Sequence, residues 1–285
     1  MITVVSAPPF ATIQDLGRFG FRDSGVPVSG LADRDSGLAL NALLGNDPNA
    51  AMIEWAVAGG VLRFERDASV AFGGADAICA LNRAPLQARV VYHVPSGSEL
   101  QIERIVRGRF LLIAIAGGID VPIILGSRST LLSARIGGAE GRRLRTGDSI
   151  ATGIAVRRVG GDVPLATAAR NSGPIHVTRG PQADLFDDLG WSEFLGAEFI
   201  VSIASDRVGY RLDGLTLSHT GDTAFPSEPT CIGAIQVPNG GSPIVIMNDG
   251  PTVGGYPKIA VICKSEMSRF AQLAPGEKLR FELTR

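Results

Sequence analysis

"SPIVIMNDGPTVGGYPKIAVI" occupies residues 242–262, and its rhythm sets how the rest of the chain is read. An apolar run ends in a polar Asn-Asp-Gly-Pro turn, and a Gly-Gly-Tyr-Pro step delivers Lys258 to the mouth of a second apolar run. Glycine supplies positive φ in tight turns and proline interrupts hydrogen-bond ladders. Short, continuously apolar segments bounded by them therefore read as strands buried on both faces. The same punctuation, with 36 Gly and 17 Pro, recurs along the chain. It predicts further strands in "MITVVSA" (1–7), "VLRFER" (61–66), "SVAFGG" (69–74), "RFLLIAIAGG" (109–118), "PIHVTRG" (174–180), "AEFIVSIA" (197–204), "AIQVP" (234–238) and "KLRFELT" (278–284).

Helix signals are few. In "ADRDSGLALNALLG" (32–45) Asp33 is a natural N-cap and Gly45 a stop. "GPQADLFDDLG" (180–190) places Pro181 at a first helical position and ends on Gly190, and Asp187–Asp188 reads as a solvated helix face. "SEMSRFAQLAPGE" (265–277) has Ser265 as a candidate cap. The chain is therefore expected to be mainly β, with two β-rich domains and a few short helices. A Gly/Ala/Pro-rich linker at 159–174 divides it into domains 1–165 and 166–285. The halves also echo one another: "RFGFRDSG" (18–25) parallels "RVGYRLDG" (207–214), and "LRFE" recurs at 62–65 and 279–282. A duplication of one β unit accounts for both echoes, as does chance in a glycine-rich chain.

Bulk properties narrow the function classes. The 285 residues carry 27 Lys+Arg against 28 Asp+Glu, without a basic block, which points away from nucleic acid and anionic membranes. No basic-then-apolar leader opens the sequence, and its longest apolar run is too short to span a bilayer. Three cysteines without metal-ligand spacing read as reduced, mostly buried thiols, and a cytoplasmic location is expected. Phosphate-loop, zincin and nucleophile-elbow signatures are missing, and His93, His176 and His219 read as structural.

Two stretches carry chemistry. In "DRVGYRL" (206–212) strand geometry puts Arg207, Gly209 and Arg211 on one face and Tyr210 on the other. Arginine presents a planar, permanently charged fork suited to carboxylate or phosphate, although an edge strand with solvated arginines has the same pattern. In "DGPTVGGYPK" (249–258) the N–H groups of Gly254 and Gly255 can cradle an anion beside the point charge of Lys258. A plain glycine turn with an exposed lysine reads identically. The preceding "EPTCIGAIQVPNGG" adds Glu228 and Gln236.

These segments, with "TIQDLGRFGFRDSGVPVSGLADRDSGLALNALLGN" (12–46), "AGGIDVPIILGSRST" (116–130), "IGGAEGRRLRTGD" (136–148), "GPQAD" (180–184) and "LAPGEKLRF" (273–281), resemble the biotin-dependent carboxyltransferase/allophanate hydrolase subunit 2 family. KipA and the C subunit of 5-oxoprolinase are members. The resemblance covers nearly the whole chain. It implies a cyclophilin-like β-barrel in the C-terminal part, a KipI-like subunit 1 as partner and, in 5-oxoprolinase, a LamB/YcsF-type subunit. It further implies ATP-dependent cleavage of an amide or lactam, with ATP expected from the family alone. The alternatives are carboxyl transfer from carboxybiotin, with biotin on another chain, to a urea-like acceptor, or a non-catalytic KipA-like regulatory role. On this reading Lys258 and Asp249 are the catalytic candidates, the latter as acid/base. Arg207, Tyr210, Arg211, Gln236, Gly254 and Gly255 bind substrate, with Gln236 orienting an amide. Relatives often carry Asn where Asp206 stands, a departure that bears on the substrate if that amide contacts it.

Overall fold

The computed structural model describes residues 1–155, 173–220 and 226–284, which form two compact units. One comprises Met1–Phe19 and Ser29–Ala169, the other Gly20–Val28 and Arg170–Arg285. The boundary expected at 165/166, and most of the expected linker, lie outside the described residues. The mainly β architecture with short helices is as expected.

Among the described residues nine strands build the first unit: β1 (Ile2–Ser6), β2 (Phe10–Gln14), β3 (Met52–Ala56), β4 (Ala58–Phe64), β5 (Ala68–Leu81), β6 (Ala84–Leu86), β7 (Tyr92–Val94), β8 (Glu99–Ile115) and β9 (Ser149–Ile150). The 17-residue β8 organises them. β5 runs antiparallel along one of its sides, while β4 and β3 share the other, at Glu99–Arg104 and Phe110–Ile113. Side chains alternating from these strands fill a core around Trp55, Phe64, Phe72, Leu111 and Ile113. Burying each such side chain contributes roughly 1.5–3 kcal/mol.

Helix α1 (Arg34–Leu44) follows its sequence signals: the Asp33 carboxylate accepts from Ser36 N–H, and Gly45 closes it at φ 67°. Its Gly37, Leu40, Asn41 and Leu44, spaced three or four apart, form the buried face. A second apolar cluster with Met52 and Leu112 lies under that helix.

The second unit contains β10 (Ile175–Arg179), β11 (Phe199–Val201), β12 (Gly209–Asp213), β13 (Glu228–Pro229), β14 (Ala234–Gln236), β15 (Ile244–Ile246), β16 (Val253–Gly254), β17 (Lys258–Ile262), β18 (Lys278–Leu279) and β19 (Phe281–Leu283). Eight of them make a sheet in the order β18-β11-β12-β15-β14-β17-β10-β19, and β13 pairs with β16 as a separate ribbon. Its two edges, β18 and β19, are separated by Arg280 alone. One extended segment thus pairs with β11 through Leu279 and with β10 through Phe281, drawing the sheet into the expected barrel. Phe194 and Phe281 stack inside at 5.0 Å between centroids, with Phe199 against both.

Several local expectations are corrected. Residues 183–185 form one 3-10 turn, and helix α2 (Asp188–Gly196) starts only after Asp187, whose carboxylate caps it by accepting from Gly190 N–H at 2.8 Å. Asp187 is thus a cap, both it and Asp188 are exposed as expected, and Gly190 lies inside the helix. Helix α3 (Met267–Ala271) follows a 3-10 turn, so Ser265 is not its cap. Of the cysteines only Cys79 is buried, and burial pushes its thiol up to about 12; Cys231 is exposed and Cys263 half-buried. Both copies of "LRFE" are extended, but 18–25 forms turns where 209–213 is a strand. Residues 20–28 instead belong to the second unit, where the Arg22 guanidinium donates to Thr230 O at 2.6 Å.

Candidate active site

Lys258 opens β17 directly after Pro257. In register it faces Gln236 of β14, at a bulge between Ile235 and Gln236. Cross-strand neighbours project to one face of a sheet, and a bulge re-aims the side chain beside it. Both residues are buried, Lys258 at 3% exposure and Gln236 at 4%. The Lys258 ammonium donates to Glu228 Oε1 on β13. Gln182, in the turn after β10, completes the set: its Nε2 donates to the same carboxylate at 2.6 Å, and its Oε1 accepts from Lys258 N–H at 3.1 Å. The hydrogen bond from Lys258, more than its charge at a distance, holds the Glu228 carboxyl below its ordinary 4.5 against the opposing push of burial. A charge-assisted pair of this kind fixes a buried ammonium in position.

Gln236 differs from its neighbours. Its Nε2 is buried and finds no acceptor among the described residues. The amide lies close against β16: a Cβ added at Gly254 would sit 2.5 Å from Gln236 Nε2 and 3.1 Å from Thr230 Cγ2. Gly254 therefore makes room for a side-chain donor. Neither Gly254 nor Gly255 has positive φ, and Val253–Gly254 is strand, so the expected anion-cradling glycine loop is corrected to an extended edge. Only Gln236, Lys258 and Gly254 of the expected residues gather here, together with Glu228.

The remaining candidates lie elsewhere. Arg207 and Asp249 grip each other: Nε meets Oδ2 and Nη2 meets Oδ1, both at 2.9 Å, and Asp249 N–H donates to Arg207 O at 2.8 Å. That buried fork-on-fork pair clamps the loop before β12 to the turn after β15. It is not an open anion binder beside an acid/base, as the sequence suggested. Tyr210 is a correction as well. It is fully buried, its hydroxyl donates to Ala271 O at 2.7 Å, and its ring packs on Phe270, which makes it core. Arg211 is exposed; in register it pairs with Ile244, which pairs with Gln236, so it stands on the same sheet face as Gln236, two strands away. The Asp206 carboxylate accepts from Val208 and Gly209 N–H at 2.8 and 3.2 Å, a turn that an Asn side chain at this position would close equally well. Gln182 escaped the sequence reading although it sits in the "GPQAD" run; its polar position directly after the Gly-Pro turn that ends a strand was the available signal. Among the described residues no three His, Cys, Asp or Glu converge as metal ligands, and no helix is long and apolar enough to cross a membrane.

The barrel thus carries a buried lysine paired with a half-buried carboxylate, beside a buried amide donor that has no acceptor among the described residues. The chain belongs to the family described as carboxyltransferase domain, subdomain A and B, which matches residues 24–283. It is 36% identical over 284 residues to the C subunit of 5-oxoprolinase from Escherichia coli, covering 99% of this chain and 90% of that one. It is 30% identical to the urea amidolyase of Lachancea kluyveri over 98% of its own length, but only 16% of the longer enzyme. The crystal structure of the K. lactis urea amidolyase superposes with a TM-score of 0.91 at 29% identity, over all of this chain and 19% of that one.

Proposed function

We propose that the chain is a subunit of an ATP-dependent enzyme that opens the lactam of 5-oxoproline to glutamate, working in the cytoplasm with a KipI-like subunit 1 and a LamB/YcsF-type subunit, and inactive without them. Water adds to the lactam carbonyl, the C–N bond breaks, and the departing nitrogen takes a proton. The chain's share is to bind and polarise the carbonyl oxygen. Gln236 Nε2 donates to it, and the adjacent Lys258 ammonium adds positive charge where negative charge develops. Glu228 and Gln182 hold that ammonium in place. The observation that carries the reading is the Gln236 amide: a buried donor without an acceptor costs about 1–3 kcal/mol, and a substrate oxygen removes that cost.

The nucleotide does not fit this cluster. Lys258 faces Glu228, Arg207 faces Asp249, and neither Gly254 nor Gly255 has positive φ, so the described residues in contact with Lys258 and Gln236 offer a triphosphate no uncommitted cation and no curled glycine loop. No step is therefore routed through ATP at this site. The test is ATP-dependent glutamate formation by the chain assembled with its partners. Turnover that vanishes in Lys258→Ala, with assembly intact, supports the proposal. The full-length likeness to a urea amidolyase domain favours a second reading, carboxyl transfer from carboxybiotin on another chain to a urea-like acceptor. In that reading the same two donors hold the acceptor's carbonyl, and a biotinylated partner would co-purify.

A further inference from the structure

The first unit has a cleft of about 690 Å³ that the lactam chemistry does not use. Arg135, Arg142, Arg143 and Arg145 line it against one carboxylate, Glu140. The backbone there is built with effort. Between residues 135 and 141, Arg135, Gly137, Gly138, Glu140 and Gly141 all take positive φ, two of them without being glycine. A Cβ on Gly141 would stand 1.9 Å from the Arg135 carbonyl carbon, so only glycine allows the fold-back that lays Arg135 beside the 142–145 run. Arg142 is fixed by a bidentate pair with Asp148 at 2.7 and 2.9 Å. The Arg143 guanidinium lies 3.5 Å over the Phe10 ring centroid. Arg135 and Arg145 are exposed, and their guanidinium groups make no hydrogen bond or salt bridge among the described residues.

Asp148 and Glu140 offset Arg142, which leaves three guanidinium groups around one cleft that repel each other unless an anion lies between them. Arginine forks match carboxylate and phosphate oxygens in pairs. Two arginines with open guanidinium groups, and a third held over an aromatic ring with one N–H on Pro9 O, exceed what a single carboxylate can engage. We propose that this cleft binds an oligophosphate, two or more linked phosphate groups, held chiefly by Arg135, Arg143 and Arg145. The proposal does not rest on the lactam reading, and a failure of oxoproline turnover leaves it untouched.

The experiment is calorimetric titration of the full chain with pyrophosphate at low salt, repeated with Arg135→Gln/Arg145→Gln and with Arg135→Lys/Arg145→Lys. Saturable one-to-one binding that weakens as salt rises is expected, since exposed charges are screened within about 10 Å at 0.1 M. The glutamine variant should bind at least about tenfold more weakly, and the lysine variant, which keeps charge but loses the fork, should fall between. Both positions are exposed, so unchanged circular dichroism is expected in the variants. ATP competing for the site identifies a nucleotide as the source of the phosphates; ATP failing to compete identifies a free oligophosphate. The proposal is overturned by no saturable binding, by equal affinity in the glutamine variant, or by citrate binding as tightly as pyrophosphate.

Discussion

Replacing Gln236 by methionine should make the resting protein more stable while impairing its function. The buried Nε2 has no acceptor among the described residues, and such a group costs about 1–3 kcal/mol. Methionine is similar in volume and reaches the same space beside Gly254, where repacking costs less than about 1.5 kcal/mol. The balance ranges from near zero to a gain of about 3 kcal/mol in the second unit. The chain has two tryptophans, Trp55 in the first unit and Trp191 in the second, so Trp55→Phe leaves Trp191 as the sole fluorescent reporter of the second unit. Urea titrations of Gln236→Met in that background measure the change directly, and the assembled enzyme should show a raised KM for substrate. A loss of more than about 1 kcal/mol would show that Gln236 holds a structural hydrogen bond, and the site assignment would fall with it.

Three further outcomes follow from the same geometry. Gly254→Ala places a methyl 2.5 Å from the Gln236 amide, so stability should fall by about 1–3 kcal/mol, and adding Gln236→Ala should restore part of it; additive losses in that double variant would contradict the contact. Lys258 depresses the Glu228 pKa, so the pair's contribution is fully present above pH 4.5 and disappears as the pH falls through the lower folded value. Acid titration of stability should therefore fall less steeply below pH 4.5 in Lys258→Met than in the parent; identical slopes would refute the coupling. Tyr210→Phe removes one buried hydrogen bond, to Ala271 O, and should cost about 1 kcal/mol in urea titration with substrate KM unchanged. A raised KM would return Tyr210 to the site.

What the sequence shows of this protein depends on how far apart the interacting residues lie. Period-2 alternation in 209–213 and the Asp33 and Gly45 caps are local, and they stand in the structure as read. Lys258, Gln236 and Glu228 were visible as polar residues at the mouths of apolar strands. Their grouping was not, because Lys258 meets Gln182 and Glu228 across 76 and 30 residues. The same holds for the Arg207–Asp249 clamp, which turned an apparent anion binder and an apparent acid into one structural pair. Around 181–190 two local signals competed: Pro181 marks a helix start, but Asp187 offers a side-chain acceptor to Gly190 N–H, and the cap prevailed. The assignment of residues 20–28 to the second unit rests on contacts over two hundred residues apart, such as Arg22 to Thr230, beyond any local pattern.

The most direct measurement is ATP-dependent conversion of 5-oxoproline to glutamate by the chain purified in complex with its partner subunits, compared with the same complex carrying Lys258→Ala. Turnover in the parent complex and its loss in the variant, with unchanged stoichiometry of the assembly, is the expected result. Full turnover in the Lys258→Ala complex would contradict a carbonyl site at Lys258 and Gln236. An intact parent complex that leaves 5-oxoproline untouched would contradict the lactam reading itself.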